Sequence, residues 1–158
     1  MKPSNPISGR VARRLGLKPI PKPTKRPQSI SKLKKVLWEL CKQIIRKTYR
    51  RADGTWQCYT TGIILDEPAK CHTGHFIAKS ICSTELAYDL KNLRIQSYRA
   101  NIHLSGDTLQ FEDNLIRDHG EEYVRELKSR NRATKGNSYG TSWYIDKIES
   151  YKLILASL

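Results

Sequence analysis

Residues 71–79 read CHTGHFIAK, which places two of the chain's four histidines and one of its four cysteines within five positions. Three readings compete for such a stretch: a metal site, a catalytic site, or a strand that carries polar side chains. The GHFIA portion has the aromatic and β-branched composition of a strand. Side chains alternate between the faces of a strand, so His72 and His75, three residues apart, point opposite ways, which argues against joint ligation of one metal.

Downstream, KNLRIQ (91–96) reads as a second short strand and YRANIHLSGD (98–107) as the start of a helix. Asp107 is suited to cap a further helix over TLQFEDNLIRDHG (108–120), which Gly120 can end in the left-handed conformation. EEYVRELKSRN (121–131) is an amphipathic helix with an acidic first turn. After a polar loop at 133–142, Ser142 is expected to cap a last helix built on Trp143, Ile145, Ile148, Tyr151, Leu153, Ile154 and Leu155.

Upstream, TWQCY (55–59) reads as a short strand followed by the turn TTG (60–62). In SKLKKVLWELCKQIIRKTYRR (31–51), Leu33, Val36, Leu37, Leu40, Cys41, Ile44 and Ile45 recur at three-and-four spacing. That spacing predicts an amphipathic helix, with Ser31 as its cap and Lys34, Lys35, Lys42, Arg46 and Lys47 on its wet face. Residues 1–29 hold six of the seven prolines and almost no apolar periodicity, the pattern of an extended basic arm. The organisation expected is an arm (1–29), a basic helix (30–52), a core (53–120) and a helical C-terminal segment (121–158), in an α+β protein.

Charge is distributed unevenly. The formal net charge is +14, and residues 1–51 carry 16 basic residues against the single acidic Glu39. A basic segment on a nearly neutral body is the electrostatic footprint of a polyanion binder, because each neutralised phosphate releases counterions. A solubilising or membrane-surface tail is the plainer alternative. No apolar run approaches the ~18–20 residues that cross a bilayer. With no secretory segment either, the protein is expected to remain in the cytoplasm, with its four cysteines as reduced thiols.

His75, Asn92 and Asn101 follow one another in an order that resembles the ββα-metal, or HNH-type, nuclease motif of strand, loop, strand and helix. The likeness extends along the chain. KLKKVLWELCKQIIRKTYRRADGTWQCYTTG, GHFIAKS, KNLRIQSYRANIHLSGD, LIRDHGEEYVRELK and WYIDKIESYKLILASL together resemble the lambdoid phage recombination endonuclease family known as NinG or Rap. That resemblance implies a small ββα-metal core and Mg²⁺- or Mn²⁺-dependent cleavage of branched DNA such as Holliday junctions and D-loops, leaving 5′-phosphate and 3′-hydroxyl ends. It implies His75 as general base, Asn101 as metal ligand and Asn92 as the residue that orients the site, in the cytoplasm of the host cell if phage-encoded. Symmetric resolution of a junction requires two active sites, which makes a homodimer the natural hypothesis.

Two departures stand out. The family's zinc knuckle has CxxC before the catalytic strand and CxxCN at the helix start. Here those positions are Cys58, Thr61, Ser97 and Ala100. Hydroxyls and a methyl cannot replace thiolates around tetrahedral zinc, so no structural zinc is expected there. A relocated site from Cys58, Cys71 and His72 has the wrong spacing. The second departure is from the wider HNH pattern: Gly74 stands where many HNH sites carry an aspartate, a glycine that the NinG pattern itself tolerates, and it leaves Asn101 as the one firm protein ligand.

Each residue also has a plainer reading: a packed histidine for His75, a helix cap for Asn101, a turn residue for Asn92, and helix-borne side chains for His103 and His119. For DNA contact the candidates are Lys34, Lys35, Lys42, Arg46, Lys47, Arg50 and Arg51 on the first helix, with Lys79, Arg94 and Arg99 placed by the motif near the scissile phosphate. Trp38, Trp56 and Trp143 read as core, with a base-stacking wedge as the alternative. A DNA-binding protein without catalysis, or an accessory subunit of a replication or transcription complex, are the rival functions.

Overall fold

The predicted first helix forms as α1 (Ile30–Thr48), burying Leu33, Leu37, Leu40, Cys41, Ile44 and Ile45 along one stripe. Burying each such aliphatic side chain is worth about 1.5–3 kcal/mol, which fixes the face that α1 turns inward. Its cap is Ser29 and not the expected Ser31: the Ser29 hydroxyl accepts from Lys32 N, leaving Ser31 inside the first turn. Val36 is 43 % exposed, because the helical advance carries it off the stripe set by Leu33, Leu37 and Leu40. The computed structural model describes residues 29–158, so the expected arm lies outside the described residues except for Ser29.

The principal partner of α1 is the last helix, α5 (Thr141–Ser157), which contributes Tyr144, Ile148 and Tyr151 to the same core. Tyr151 also donates a 2.6 Å hydrogen bond to Tyr88 O. Ser142 does not cap α5: Gly140 stands at the N-cap position, and the helix begins one residue before Ser142.

Two short antiparallel ribbons lie between the helices. One pairs β1 (Trp56–Gln57) with β2 (Ile64–Leu65). The other pairs β3 (His72–His75) with β4 (Leu93–Gln96), setting Thr73 opposite Ile95 and His75 opposite Leu93. The expected strand GHFIA is therefore displaced toward the N-terminus: pairing stops at His75, and Phe76 and Ile77 leave the ladder for a second core. That core is completed by α3 (Thr108–His119) and α4 (Glu121–Thr134), through Phe111, Leu115, Val124 and Leu127. β4 divides the two: Leu93 and Ile95 belong to the α1–α5 core, whereas Arg94 reaches His119 of α3.

The helix expected after β4 is a single π-helical turn, Arg99–His103. It stops because Ser105, Gly106 and Asp107 all have positive φ, at 50°, 88° and 47°, a left-handed stretch that no right-handed helix can traverse. Asp107 stands at the N-cap of α3, but its left-handed backbone is not the extended geometry that capping needs, and its carboxylate makes no cap bond. Gly120, at φ 84°, ends α3 as expected.

Candidate functional site

His75 is the last paired residue of β3, and alternation directs its side chain to the face shared with Leu93 and α1. Its ring stacks on the Trp38 indole, with centroids 5.1 Å apart and planes 12° from parallel. Its Nε2 lies 3.0 Å from Ala87 O. A carbonyl oxygen only accepts, so Nε2 carries the proton and Nδ1 keeps its lone pair. Burial pushes the imidazole below its ordinary pKa of 6.5; the Ala87 carbonyl works against that shift, and the Lys79 ammonium adds to it. The group is therefore neutral with a defined tautomer.

Asn92 ends the 3-10 turn Leu90–Asn92 before β4 (which begins at Leu93) and is fully buried. Its Oδ1 accepts from Ile77 N at 2.8 Å, while Nδ2 donates to Ile77 O at 3.3 Å and Leu86 O at 3.1 Å. Its own carbonyl accepts from Phe76 N at 2.9 Å. One carboxamide thus binds the segment that follows His75 to the short helix α2 (Thr84–Ala87), whose last residue supplies the imidazole's acceptor.

Asn101 sits on the π turn, half-buried, with its N–H on Ser97 O at 3.0 Å. That turn folds back over β3: Gly106 N reaches Ala100 O at 2.9 Å, and a Cβ on Gly106 would stand 3.8 Å from His75 O. Gln96 Nε2 holds the turn down through a 2.7 Å bond to Gly106 O. In the β3–β4 register Gln96 and Gly74 lie on the face opposite His75 and Leu93. The structure therefore brings His75 and Asn92 into one bonded unit, and brings the Asn101 turn against the β3 backbone from the other face. No hydrogen bond joins the His75 and Asn101 side chains.

The positions of the reduced knuckle do meet. Ser97 N donates to Cys58 Sγ at 3.2 Å, Thr60 Oγ1 lies 3.6 Å from the same sulfur, and Ala100 N donates to Ser97 Oγ at 3.2 Å. Burial alone would raise the Cys58 thiol, yet hydrogen bonds from Thr61, Ser97 and Thr60 bring it down to about 7. Hydrogen-bond donors here surround the sulfur.

Among the cations, Arg94 corrects the sequence reading. It is 2 % exposed and faces the interior, so it offers nothing to DNA. Its Nη1 donates to Leu93 O (2.8 Å) and Lys91 O (3.2 Å), and its Nη2 donates to His119 Nε2 (2.9 Å) and Tyr123 OH (3.3 Å). Tyr49 and Tyr59 cover its guanidinium at 5.4 and 5.3 Å. Arginine suits this place because its fork satisfies the carbonyls on either side of Asn92. Arg46 also turns inward, to Cys71 O at 3.3 Å. Lys42 pairs with Glu39, Lys47 Nζ reaches Leu155 O at 3.4 Å, Arg50 lies over Trp56, and Arg51 approaches Asp53. Lys34, Lys35 and Lys79 instead line one groove with Trp38. Arg99 is exposed on the π turn.

His72 and His103 are not brought to His75; each sets its ring edge-on to Tyr98, at 5.3 Å. Among the described residues no three His, Cys, Asp or Glu side chains converge as a metal cluster, the Cys58–Cys71–His72 combination included. The four cysteines are free thiols.

Comparison with known proteins bears on this arrangement. The family described as bacteriophage lambda NinG protein matches residues 21–156. The chain belongs to the NinG family. The match runs through every element of the hairpin, the π turn and both cores of this NinG chain. No curated protein and no solved structure matches the chain. Among its described residues, no helix is long and apolar enough to cross a membrane.

Gln96 and Gly106 are not among the site residues that the sequence points to, and Trp38 is among them only as the alternative to a core residue. Trp38 carried one usable signal, an aromatic residue within a turn of two lysines on the wet edge of α1. Gln96 and Gly106 carried none, since their roles depend on the register of β4 and on the left-handed turn.

Proposed function

We propose that this NinG-family chain is a metal-dependent, structure-specific DNA endonuclease of phage recombination. Its substrates would be branched intermediates such as Holliday junctions and D-loops, cut to 5′-phosphate and 3′-hydroxyl ends. The observation that carries this reading is the state of His75: neutral, with Nε2–H fixed on Ala87 O and Nδ1 left with its lone pair. That is what a general base requires near neutral pH. In this scheme Nδ1 takes a proton from water as the water oxygen attacks phosphorus and the bond to O3′ breaks. Asn92 holds the loop that orients the imidazole.

The donor available to a divalent cation at the motif is a neutral oxygen, that of the Asn101 carboxamide; Gln96 Oε1 also has no hydrogen-bond partner but is sealed from solvent. Hard carbonyl donors suit Mg²⁺ or Mn²⁺ over zinc, but without a carboxylate they fit the ion only together with phosphate oxygens from DNA. When bound, the ion would stabilise charge developing on the phosphate and the leaving oxygen. Resolving a junction symmetrically adds a homodimer to the proposal, for which light scattering with and without DNA is the direct check.

A second reading, a DNA-binding protein of recombination with no nuclease activity, is favoured by one observation: the imidazole and the Asn101 turn approach the hairpin from opposite faces. Labelled four-way junction and D-loop, incubated with Mg²⁺, Mn²⁺ or EDTA, separate the two. The nuclease reading expects divalent-dependent cutting by the wild type and none by His75→Ala or Asn101→Ala. Equal binding by all three proteins with no cutting by any leaves the second.

A further inference from the structure

Part of the positive charge on the described surface is compensated by ion pairs. Lys42, Lys70, Lys91, Lys128, Arg130 and Lys152 all pair with carboxylates. One concave place departs from this. Lys34 and Lys35 on α1 and Lys79 on the loop after β3 face each other across a groove of about 350 Å³. Among the described residues no carboxylate lines this groove or forms an ion pair with any of the three. The Lys34 ammonium lies over the Tyr144 ring at 5.9 Å and that of Lys79 over the Trp38 ring at 5.1 Å, contacts that position the cations without neutralising them. Three like charges at one concavity focus a field that only an anion relieves.

The rest of the lining identifies the anion's company. Trp38, Ala87 and Tyr88 add aromatic and aliphatic surface between the lysines, more than a bare phosphate would use. A volume of this order lies within the range of small-ligand clefts. Cationic walls tracking a backbone, with an aromatic surface for a base, are the general means of holding an unpaired strand. We propose that this groove seats one unpaired nucleotide of a DNA strand, its phosphodiester between Lys34, Lys35 and Lys79 and its base or sugar against Trp38. The proposal rests on the nucleic-acid reading above, though not on the hydrolytic step. Trp38 is also the residue on which His75 stacks, and Ala87 holds the imidazole through its carbonyl, so a strand seated here would lie directly beside the base.

The test is anisotropy of fluorescein-labelled (dT)12 and of a 12-base-pair duplex, with the full-length wild-type protein as background and EDTA present so that no cleavage enters. Lys34→Ala, Lys35→Ala and Lys79→Ala are each expected to weaken (dT)12 binding roughly fivefold and to lower the slope of log K against log salt by about 0.7. Trp38→Ala is expected to weaken it roughly tenfold, with Trp38→Phe recovering most of the loss. Lys152→Ala, toward the end of α5 that meets Lys47 and not Lys34, should match the background. Unchanged (dT)12 affinity in the lysine variants would overturn the proposal, as would equal losses on strand and duplex, which would make the groove a duplex-backbone track. Full competition by millimolar inorganic phosphate or thymidine 5′-monophosphate would overturn it too, by showing a seat for a terminal phosphate. Lysine variants that lose binding while the wild type cuts no substrate would leave the groove standing and remove the nuclease.

Discussion

Asn92 satisfies both backbone groups of Ile77: its Oδ1 accepts from Ile77 N at 2.8 Å and its Nδ2 donates to Ile77 O at 3.3 Å. A buried carboxamide that matches a peptide group in this way does the work of a strand partner at the point where β3 has left its ladder.

Replacing that carboxamide should be costly. Asn92→Asp keeps the acceptor for Ile77 N but strips the donors from Ile77 O and Leu86 O and buries a carboxylate; Asn92→Ala strips all three bonds. Both are expected to lose about 2–4 kcal/mol, read as a lowered urea midpoint with an unchanged slope. Wild-type stability in either variant would mean that the loop after His75 is held by other contacts.

His75 gives a pH signature. Its folded pKa lies below the unfolded value, so the unfolded chain binds more protons in the window just below 6.5. The stabilisation is complete above that pH and declines as pH falls toward the folded pKa. Thermal midpoints between pH 7.5 and 5 should therefore fall more steeply for the wild type than for His75→Gln. Nitrogen chemical shifts should show the Nε2–H tautomer throughout the upper part of the range.

Arg94 should behave as an interior residue. Arg94→Met takes the guanidinium donor from Leu93 O and leaves Lys91 O with the Tyr123 hydroxyl alone, and is expected to destabilise by about 2–4 kcal/mol. The salt dependence of DNA binding by the folded fraction should be unchanged, because a guanidinium sealed by Tyr49 and Tyr59 releases no counterion. A drop in the salt slope would return Arg94 to the DNA-contacting set.

Gly74 is required by packing. Its φ is ordinary, but a Cβ there would overlap Gln96 Oε1, the buried oxygen that has no partner. Gly74→Ala is expected to cost about 1–3 kcal/mol. Adding Gln96→Ala should restore part of the loss to the double variant, a non-additivity that calorimetry can read.

The long-range periodicities of the chain carried its helices. Leu33 to Ile45, Phe111 with Leu115, and Val124 with Leu127 are spaced by the helical repeat, and burial follows that spacing directly. What sequence did not reveal lies where a few residues of register decide the outcome. The β3 ladder stops at His75 because Phe76 and Ile77 gain more in the α3–α4 core than in continued pairing, a tertiary preference with no local signal. The π turn was read as a longer helix because a non-glycine left-handed pair at Ser105 and Asp107 looks like any Ser-Gly-Asp segment. Arg94 was read as a DNA contact because one basic residue in a strand resembles another until the tyrosines around it are known. Within the site, the order of His75, Asn92 and Asn101 was legible, whereas the direction each side chain takes from the hairpin was not.

The union of α1 with α5 joins the first described helix to the last described one. During synthesis on the ribosome, α1 emerges with its stripe of Leu33, Leu37 and Ile44 and must wait for nearly a hundred further residues before Tyr144, Ile148 and Tyr151 arrive to cover it. Until then the nascent chain exposes a sticky surface beside a basic one, so a product stalled before Tyr144 is a candidate for chaperone capture.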